Sequence, residues 1–167
     1  MRIWHCDPWK RGGETPMSRS VSLKRSVKPA RPAYVLEEQV GFILRQVWQR
    51  HAAIFAREIG ANLTPTQWAA LAKLAETGPC SQNQLGRLTA MDVATIKGVI
   101  DRLTARGLTE TGADPQDGRR LKVSLTRAGQ QLAEKVAPNA LVITRETLAP
   151  LDARERETLV TLLAKLR

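Results

Sequence analysis

Apolar residues recur at helical spacing in several stretches of the chain after residue 34. The first stripe consists of Leu36, Val40, Ile43, Leu44, Val47, His51, Ile54, Phe55 and Ile59. Steps of three and four residues place side chains on one face of an α-helix. The pattern therefore predicts one long amphipathic helix from Tyr34 to about Ile59.

Capping signals divide the next part of the chain into shorter helices. Thr64-Pro65-Thr66-Gln67 combines an N-cap, a proline at the first helical position and a glutamine that completes a capping box. Gly78-Pro79 ends this second helix, whose stripe is Trp68, Leu71, Leu74 and Ala75. Ser81 then starts a short helix that carries Leu85 and Leu88, and Asp92 starts another that ends at Gly107, with Ile96, Val99, Ile100 and Leu103 on one face. The last two helices, joined by a tight turn, predict a helix-turn-helix.

The pattern after Gly107 changes to two extended stretches, Leu108 to Thr111 and Leu121 to Leu125. They flank ADPQDGRR, which has proline and glycine where a hairpin loop needs them. A β-hairpin after a helix-turn-helix is typical of a winged helix, so the fold class is mainly α with a small hairpin. Thr126 caps a further helix to about Leu148, which we expect Pro138 to kink, and a final helix runs from Asp152 to near Leu166.

The charge of the chain favours a polyanionic partner, either nucleic acid or an anionic membrane surface. The formal net charge is +10. Residues 1–33 carry eight Lys and Arg against two acidic residues, and residues 34–167 carry eighteen against fourteen, so the first segment exaggerates the basic character. We predict that residues 1–33 are disordered, because they mix Pro, Gly, Ser and Arg without a sustained period.

Several classes of protein are disfavoured by what the sequence lacks. It has no glycine-rich phosphate loop, paired-histidine zinc motif or nucleophile elbow, and its two cysteines, Cys6 and Cys80, have no metal-site spacing. We therefore expect no catalysis, no cofactor and no metal. It also has no apolar run of about 18 residues, so we expect a cytoplasmic protein that does not enter a membrane.

The stretch from Leu63 to Gly129 resembles the MarR family of bacterial transcription regulators. Three blocks carry the resemblance: LTPTQWAALAKL, SQNQLGRLTAMDVATIKGVIDRLTARGL and DPQDGRRLKVSLTRAG. It implies a winged-helix DNA-binding module at 63–126, dimerisation helices at 34–62 and 127–167, and a homodimer on a pseudo-palindromic operator. A monomer whose terminal helices fold back on its own core is the alternative.

The second helix of a helix-turn-helix enters the major groove, where its outward residues meet base edges. Because Ile96, Val99, Ile100 and Leu103 must face the core, the outward residues are Ala94, Thr95, Lys97, Gly98 and Arg102. Many relatives carry an arginine at the position of Gly98. Their usual guanine contact is therefore missing from this position.

The resemblance also assigns roles around the hairpin and the helix-turn-helix. Arg119 would enter the minor groove from the tip, where Gly118 replaces an arginine often found in relatives. We expect Asp117 to hold Arg119 or Arg102 in a bidentate pair, and Arg120 and Lys122 to reach phosphates. Further contacts to the DNA backbone would come from Ser81, Gln82 and Gln84.

Members of the family commonly respond to small anionic or phenolic compounds. His51 lies on an apolar stripe and needs a partner, and Trp48, Phe55 and Trp68 are candidates for stacking on an aromatic ring. Since VATIKGVIDRL resembles regulators of aromatic-acid and nicotinate-type catabolism, we expect a repressor released by an aromatic carboxylate. Three alternatives stay open: a purely structural His51, a thiol sensor at Cys80 whose pKa a helix N-terminus lowers, and a non-specific nucleic-acid-binding protein.

Overall fold

Six α-helices and one antiparallel hairpin make up the part of the chain that the structure describes. The computed structural model describes residues 34–114 and 117–166, with the backbone alone at 114 and 117–120. The helices are α1 (Val40–Glu58), α2 (Pro65–Thr77), α3 (Gln82–Leu88), α4 (Val93–Ala105), α5 (Arg127–Thr147) and α6 (Ala153–Ala164); the strands are β1 (Thr109–Asp114) and β2 (Asp117–Leu125). The mainly α fold with a small hairpin is as predicted, whereas the predicted disorder of residues 1–33 lies outside the described residues.

The predicted first helix is interrupted near its start. Leu36–Glu38 forms a 3-10 turn, and the backbone of Gln39 is extended before α1 begins at Val40. The Gln39 N–H bonds to the Leu36 carbonyl oxygen over 3.0 Å, which closes the tighter turn instead of an α-helical one. The prediction of a continuous helix from Tyr34 was therefore wrong at its N-terminal end.

Side-chain caps fix where most of the other helices begin. Thr64 and Asp152 each form a complete capping box, with Gln67 and Glu155 respectively. The side chains of Ser81, Asp92 and Thr126 each accept a hydrogen bond from a backbone N–H in the first turn of α3, α4 and α5, in that order. These five starts confirm the predictions from the sequence, because the capping interactions involve neighbours in the chain.

The core lies between α1, α2, α3, α4, α5 and the hairpin. Its largest fully buried apolar side chains are Leu71, Leu85, Ile96, Val99 and Leu103. Of the apolar residues predicted for α2 and α3, Ala75 and Leu88 are exposed and lie off the buried face. On α2, Gln67 and Ala70 face the core instead, since they lie one turn before Leu71 and Leu74.

The hairpin is longer and its loop shorter than predicted. β1 and β2 pair from Thr109↔Leu125 to Ala113↔Leu121, and pairing then resumes at Asp114↔Asp117. Residues 118–120 thus lie on β2 between two paired positions, as a bulge does. Most of ADPQDGRR is therefore strand, because pairing resumes beyond the bulge at positions that we had assigned to a loop.

A single residue extends the hairpin on its other side. The backbone of Cys80 exchanges two hydrogen bonds with Val123, over 3.2 and 2.9 Å. Because Cys80 immediately precedes α3, this bridge attaches the hairpin to the helix-turn-helix. We call the β1–β2 hairpin the wing.

The two C-terminal helices differ in how they contact the rest of the molecule. α5 continues as a helix through Pro138 and buries Ala133, Val136 and Ile143. α6 has no buried residue. Its start is nevertheless anchored, since the Arg156 Nε donates to the carbonyl oxygens of Leu148 and Leu151 over 3.1 and 2.9 Å.

Candidate nucleic-acid interface

The first turn of α4 is pinned by Asp92. One carboxylate oxygen accepts from the backbone N–H of Thr95 over 2.8 Å, and the other accepts from the Thr95 hydroxyl over 2.7 Å. These hydrogen bonds stabilise the charged form and lower the pKa of Asp92. The N-terminus of α4, which a helix-turn-helix presents to DNA, is thereby held in one conformation.

The two faces of α4 differ as sharply as its sequence predicts. Ile96, Val99, Ile100 and Leu103 are all 4% exposed or less. On the opposite face Ala94, Thr95, Lys97 and Arg102 are exposed, and Gly98 is half-buried. We call this outer face, with the exposed Asp101 added, the reading face.

Asp101 is a member of the reading face that our sequence analysis missed. Its carboxylate forms a salt bridge with Lys97 Nζ over 2.8 Å, and both side chains are well exposed. The signal was present in the sequence, because a basic and an acidic residue four positions apart are neighbours on a helix. An exposed pair of this kind is weak, so Lys97 can leave Asp101 for another anion at little cost.

Arg102 lies over Gly98. A β-carbon at position 98 would be 3.7 Å from Arg102 Nη1 and 3.9 Å from Nη2. The guanidinium therefore occupies the space into which a side chain at position 98 would extend. The two residues that the sequence predicted separately are brought together on the reading face.

Among the predicted DNA-contacting residues of the wing, the structure describes the side chain of Lys122. Lys122, paired with Gly112, is half-buried. The backbone of Asp117, Arg119 and Arg120 belongs to β2, and the latter two fall within the bulge. The predicted contacts of these three side chains lie outside the described residues.

Ser81, one of the predicted DNA-contacting residues, is also the N-cap of α3. The Ser81 Oγ accepts a hydrogen bond from the Gln84 N–H over 3.2 Å. Its own hydroxyl proton can still be donated to another acceptor. Gln82 is half-buried and Gln84 is exposed, so all three predicted positions border the same helix start.

The Cys80 thiol lies in an environment that favours its protonated form. Its side chain is 4% exposed, and burial raises the pKa of the thiol, although the nearby charge of Lys122 lowers it. We had expected the helix N-terminus to lower this pKa. The direction is opposite because desolvation disfavours the thiolate, the reactive form.

Three of the four predicted effector residues form a ring cluster on α1. The His51 ring lies 5.6 Å from that of Trp48 and 6.4 Å from that of Phe55, centre to centre. Trp48 is exposed and Phe55 is buried, so the cluster runs from the surface into the core. Trp68 packs against the same core from α2, without a ring contact to these three in the part of the chain that the structure describes.

His51 has the partner that its position required. A hydrogen bond of 3.0 Å joins its Nδ1 to the Thr147 Oγ1 at the end of α5. Close by, Arg57 on α1 forms an ion pair with Glu146, and Arg50 Nη2 donates to the Glu146 carbonyl oxygen over 3.1 Å. Polar contacts therefore connect α1 to the C-terminal end of α5 beside the ring cluster.

Large apolar side chains remain exposed on α1 and on the C-terminal part of the molecule. Val40, Ile43, Leu44, Val47 and Trp48 are all exposed on α1. The corresponding residues after α5 begins are Leu141, Val160, Leu162, Leu163 and Leu166. The α1 residues recur three and four positions apart, so they share one face of the helix, and an exposed apolar face is typical of a protein–protein interface.

Comparison with known proteins assigns the chain to a family. A family model described as MarR family matches residues 61–120. The HTH-type transcriptional repressor NicR of Pseudomonas putida is 40% identical over 134 residues, which are 80% of this chain and 85% of NicR. Fold, reading face and wing together define a winged-helix transcription regulator. The chain belongs to the MarR family.

Solved structures resemble the chain over the same extent. A probable transcriptional regulator from Pseudomonas aeruginosa is 62% identical, with a TM-score of 0.78, and the match covers 80% of this chain and all of that one. BpsR of Bordetella bronchiseptica, whose structure concerns regulation of its DNA binding by 6-hydroxynicotinic acid, is 42% identical. That match has a TM-score of 0.76 and covers 80% of this chain and 96% of BpsR. Among the residues that the structure describes, no helix is long and apolar enough to cross a membrane.

Proposed function

We propose that this regulator is a repressor that binds a pseudo-palindromic operator as a homodimer and is released by a small aromatic carboxylate. The observation that carries the proposal is the reading face of α4, whose opposite side is buried and whose first turn is pinned by Asp92. A fixed helix with an outward polar face suits the major groove. Since its operator would be chromosomal, the proposal implies action in the cytoplasm.

The proposed contacts fall into two groups. The residues of α4 approach base edges, while α3 and the wing hold the phosphate backbone and enter the minor groove. Of the base-reading group, Lys97 is restrained only by an exposed salt bridge, and Thr95 keeps its hydroxyl lone pairs for accepting hydrogen bonds. The proposed contact residues are Ala94, Thr95, Lys97, Gly98 and Arg102 for the bases, Arg119 for the minor groove with Asp117 as its support, and Ser81, Gln82, Gln84, Arg120 and Lys122 for the backbone.

The homodimer follows from the exposed apolar residues of α1 and α6. Neither surface is covered by the rest of the chain that the structure describes, and burying apolar area is the main drive for association. A two-fold dimer presents two copies of α4 about 34 Å apart, one turn of B-DNA. The operator would therefore have two-fold symmetry.

We assign the effector site to the ring cluster of Trp48, His51 and Phe55, with Trp68 on the neighbouring helix. NicR is a transcriptional repressor, and the DNA binding of BpsR is regulated by 6-hydroxynicotinic acid, which is an aromatic carboxylate. The exposed face of Trp48 offers stacking, and His51 can donate a hydrogen bond to a carboxylate from its other ring nitrogen. Binding beside the His51–Thr147 bond would act on the packing of α1 against α5, which connects the dimer helices to the DNA-binding module.

Titration of acids into a protein–DNA complex tests the proposal. Duplexes selected by the protein from a randomised pool serve as the probe, and fluorescence anisotropy reports binding. We expect 6-hydroxynicotinate or nicotinate to weaken binding at least about tenfold, and cyclohexanecarboxylate, which has no aromatic face, to have little effect. The variant His51→Phe should bind the duplex normally and lose the response.

Thermal shifts separate binding of the acid from release of DNA. A ligand that binds only the native state raises the melting temperature. If aromatic acids stabilised the protein but left its affinity for the duplex unchanged, the proposed release would be contradicted. If no aromatic acid bound at all, the effector class would be contradicted, and the DNA-binding function would stand.

A further inference from the structure

Gly98 is a glycine that the fold does not require. At Gly86 a β-carbon would lie 3.1 Å from the Met91 carbonyl oxygen, and at Gly129 it would overlap the Leu108 carbonyl oxygen. At Gly98 the nearest atom would be 3.7 Å away, which is ordinary van der Waals contact. Glycine inside a helix is less favourable than alanine, so the reason for this glycine lies outside the isolated chain.

The group that lies over Gly98 is the Arg102 guanidinium. Nη1, Nη2 and Cζ would be 3.7, 3.9 and 4.0 Å from a β-carbon at position 98. Three atoms at nearly equal distances mean that the planar group faces the position that a β-carbon would take at Gly98. Within residues 34–113 and 121–166, whose side chains the structure describes, this guanidinium has no hydrogen bond or ion pair.

Its polar neighbours on the reading face are already engaged. Lys97 is paired with Asp101 over 2.8 Å, and the Thr95 hydroxyl donates to Asp92 over 2.7 Å. Arg102 lies in the last turn of α4 on this surface, and its guanidinium carries five N–H donors. A guanidinium fork matches the O6 and N7 acceptors of guanine in the major groove.

We propose that Gly98 and Arg102 form one base-reading unit. Gly98 lets the backbone of α4 approach the floor of the major groove, and Arg102 places its guanidinium in the space left by the missing side chain. A side chain at 98 longer than that of alanine would displace that guanidinium, and even a methyl group would hold the backbone of α4 away from the floor of the groove. The proposal rests on the proposed DNA-binding function and names the residues that set its specificity.

The first test uses Gly98→Ala, a substitution that should raise the stability of the protein and lower its selectivity for DNA. We expect Gly98→Ala to raise the melting temperature by a few degrees, because alanine favours the helix and fits at this position. The same variant should bind a duplex selected by the wild-type protein at least about tenfold more weakly, with little change on a scrambled duplex of equal length. A destabilised fold could not produce this combination.

The arginine is tested by a substitution that keeps its charge. Arg102→Lys should retain the salt dependence of binding, which counts phosphate contacts, and lose selectivity about tenfold or more because lysine lacks the fork. Adding Gly98→Ala to Arg102→Lys should have little further effect, since the two residues act on the same base pair. Gly41→Ala, at a helical glycine with no atom within 4 Å of its β-carbon, and Arg154→Lys on α6 are the matched controls and should bind as the wild type does.

The outcomes distinguish this proposal from the function on which it rests. If the wild type selects a duplex and both variants retain its full selectivity, the reading unit is overturned and the DNA-binding function stands. If the losses of selectivity in Gly98→Ala and Arg102→Lys simply added in the double variant, the two residues would act independently, and the reading unit would also be overturned. A wild type that binds scrambled and selected duplexes equally would contradict the proposed function itself, and this proposal with it.

Discussion

Individual residues fix the position of the wing relative to α5. Thr126 Oγ1 donates to the Gly107 carbonyl oxygen over 2.7 Å, and the Thr126 N–H bonds to the Leu108 carbonyl oxygen over 3.1 Å. Gly129, one turn into α5, lies against the same Leu108 carbonyl. The absence of a side chain at 129 thus allows the helix to begin directly beside the base of the wing.

Gly129→Ala tests this close approach. A β-carbon there would overlap a backbone oxygen, so either the wing or α5 must move, and we expect a loss of about 2 kcal/mol or more in the free energy of unfolding. Urea denaturation measures the difference. Gly112→Ala, with no atom within 4 Å of its β-carbon, is the control within the wing and should be close to neutral. A Gly129→Ala protein as stable as the wild type would contradict the described packing of the wing against α5.

Asp92 links the stability of α4 to pH. Its pKa is lower in the folded chain because the backbone and hydroxyl of Thr95 donate to the carboxylate. This contribution is present above the unfolded pKa of about 3.9, and it is lost as the pH falls through the folded value. Asp92→Ala should therefore lower the melting temperature at pH 7, and the difference from the wild type should narrow as the pH approaches 3.

The substitution Asp92→Asn separates the charge from the cap. It keeps an acceptor for the Thr95 N–H but does not titrate in this range, so the melting temperature of the variant should depend less on acidification than that of the wild type. Thermal melts between pH 7 and pH 3 provide the comparison. If the melting temperatures of the wild type and Asp92→Ala differed by the same amount over this pH range, the charge of the carboxylate would have no role in the stability of α4.

Among the elements, α4 is connected through Arg106 to the junction of α1 and α2. The Arg106 guanidinium donates to the carbonyl oxygens of Asn62 and Ala61 over 3.1 and 2.8 Å. Both residues have left-handed backbone, with φ of +51° and +54°, which is costly without glycine. On the other side of the junction, the Asn139 side chain donates to the Ile59 carbonyl oxygen. The junction is thus held from α4 and from α5.

Arg106→Ala should loosen this junction. We expect a loss of about 1 kcal/mol in the free energy of unfolding, since two charge-assisted hydrogen bonds disappear from an exposed site. Amide hydrogen exchange should show lower protection around residues 60–63 before any change in the core of α4. Arg87→Ala, an exposed arginine in the last turn of α3, is the matched control. Unchanged hydrogen-exchange protection at residues 60–63 in Arg106→Ala would show that Arg106 does not stabilise the junction.

The elements differ in how far the sequence predicts them. The starts at Thr64, Ser81, Asp92, Thr126 and Asp152 are local, since each cap reaches only three residues along the chain, and all were predicted. The extent of the wing was not, because strand pairing such as Ala113↔Leu121 depends on contacts across the hairpin. The same distinction applies to the site. The outward residues of α4 follow from helical periodicity, whereas the Arg102–Gly98 contact depends on a side-chain conformation. The hydrogen bonds of Arg106 join residues more than forty positions apart, which no local pattern predicts.

The molecule as a whole combines a DNA-binding module with a surface suited to association. Exposed apolar side chains lie on α1 and α6, and α6 has no buried residue. In the family to which the chain belongs, a second copy would cover them. We therefore expect the protein to be a dimer under conditions in which it binds DNA.

Leu163→Glu tests the dimer. Leu163 is 42% exposed, so the substitution leaves the core intact, but a carboxylate in an apolar interface is costly. Light scattering coupled to size exclusion should report a monomer, with weak binding to a duplex that the wild type selects. Glu157→Gln, an exposed polar change on the same helix, should remain dimeric. A fully dimeric Leu163→Glu protein would place the interface elsewhere.

If two copies of α4 read one symmetrical stretch of DNA, in vitro selection from a randomised duplex pool should reveal that symmetry. We expect convergence on a sequence with two-fold symmetry, with half-sites about one helical turn apart and a preference over scrambled DNA of roughly a thousandfold or more. A pool that fails to converge, bound with the same affinity and salt dependence as random duplex, would contradict this mode of recognition.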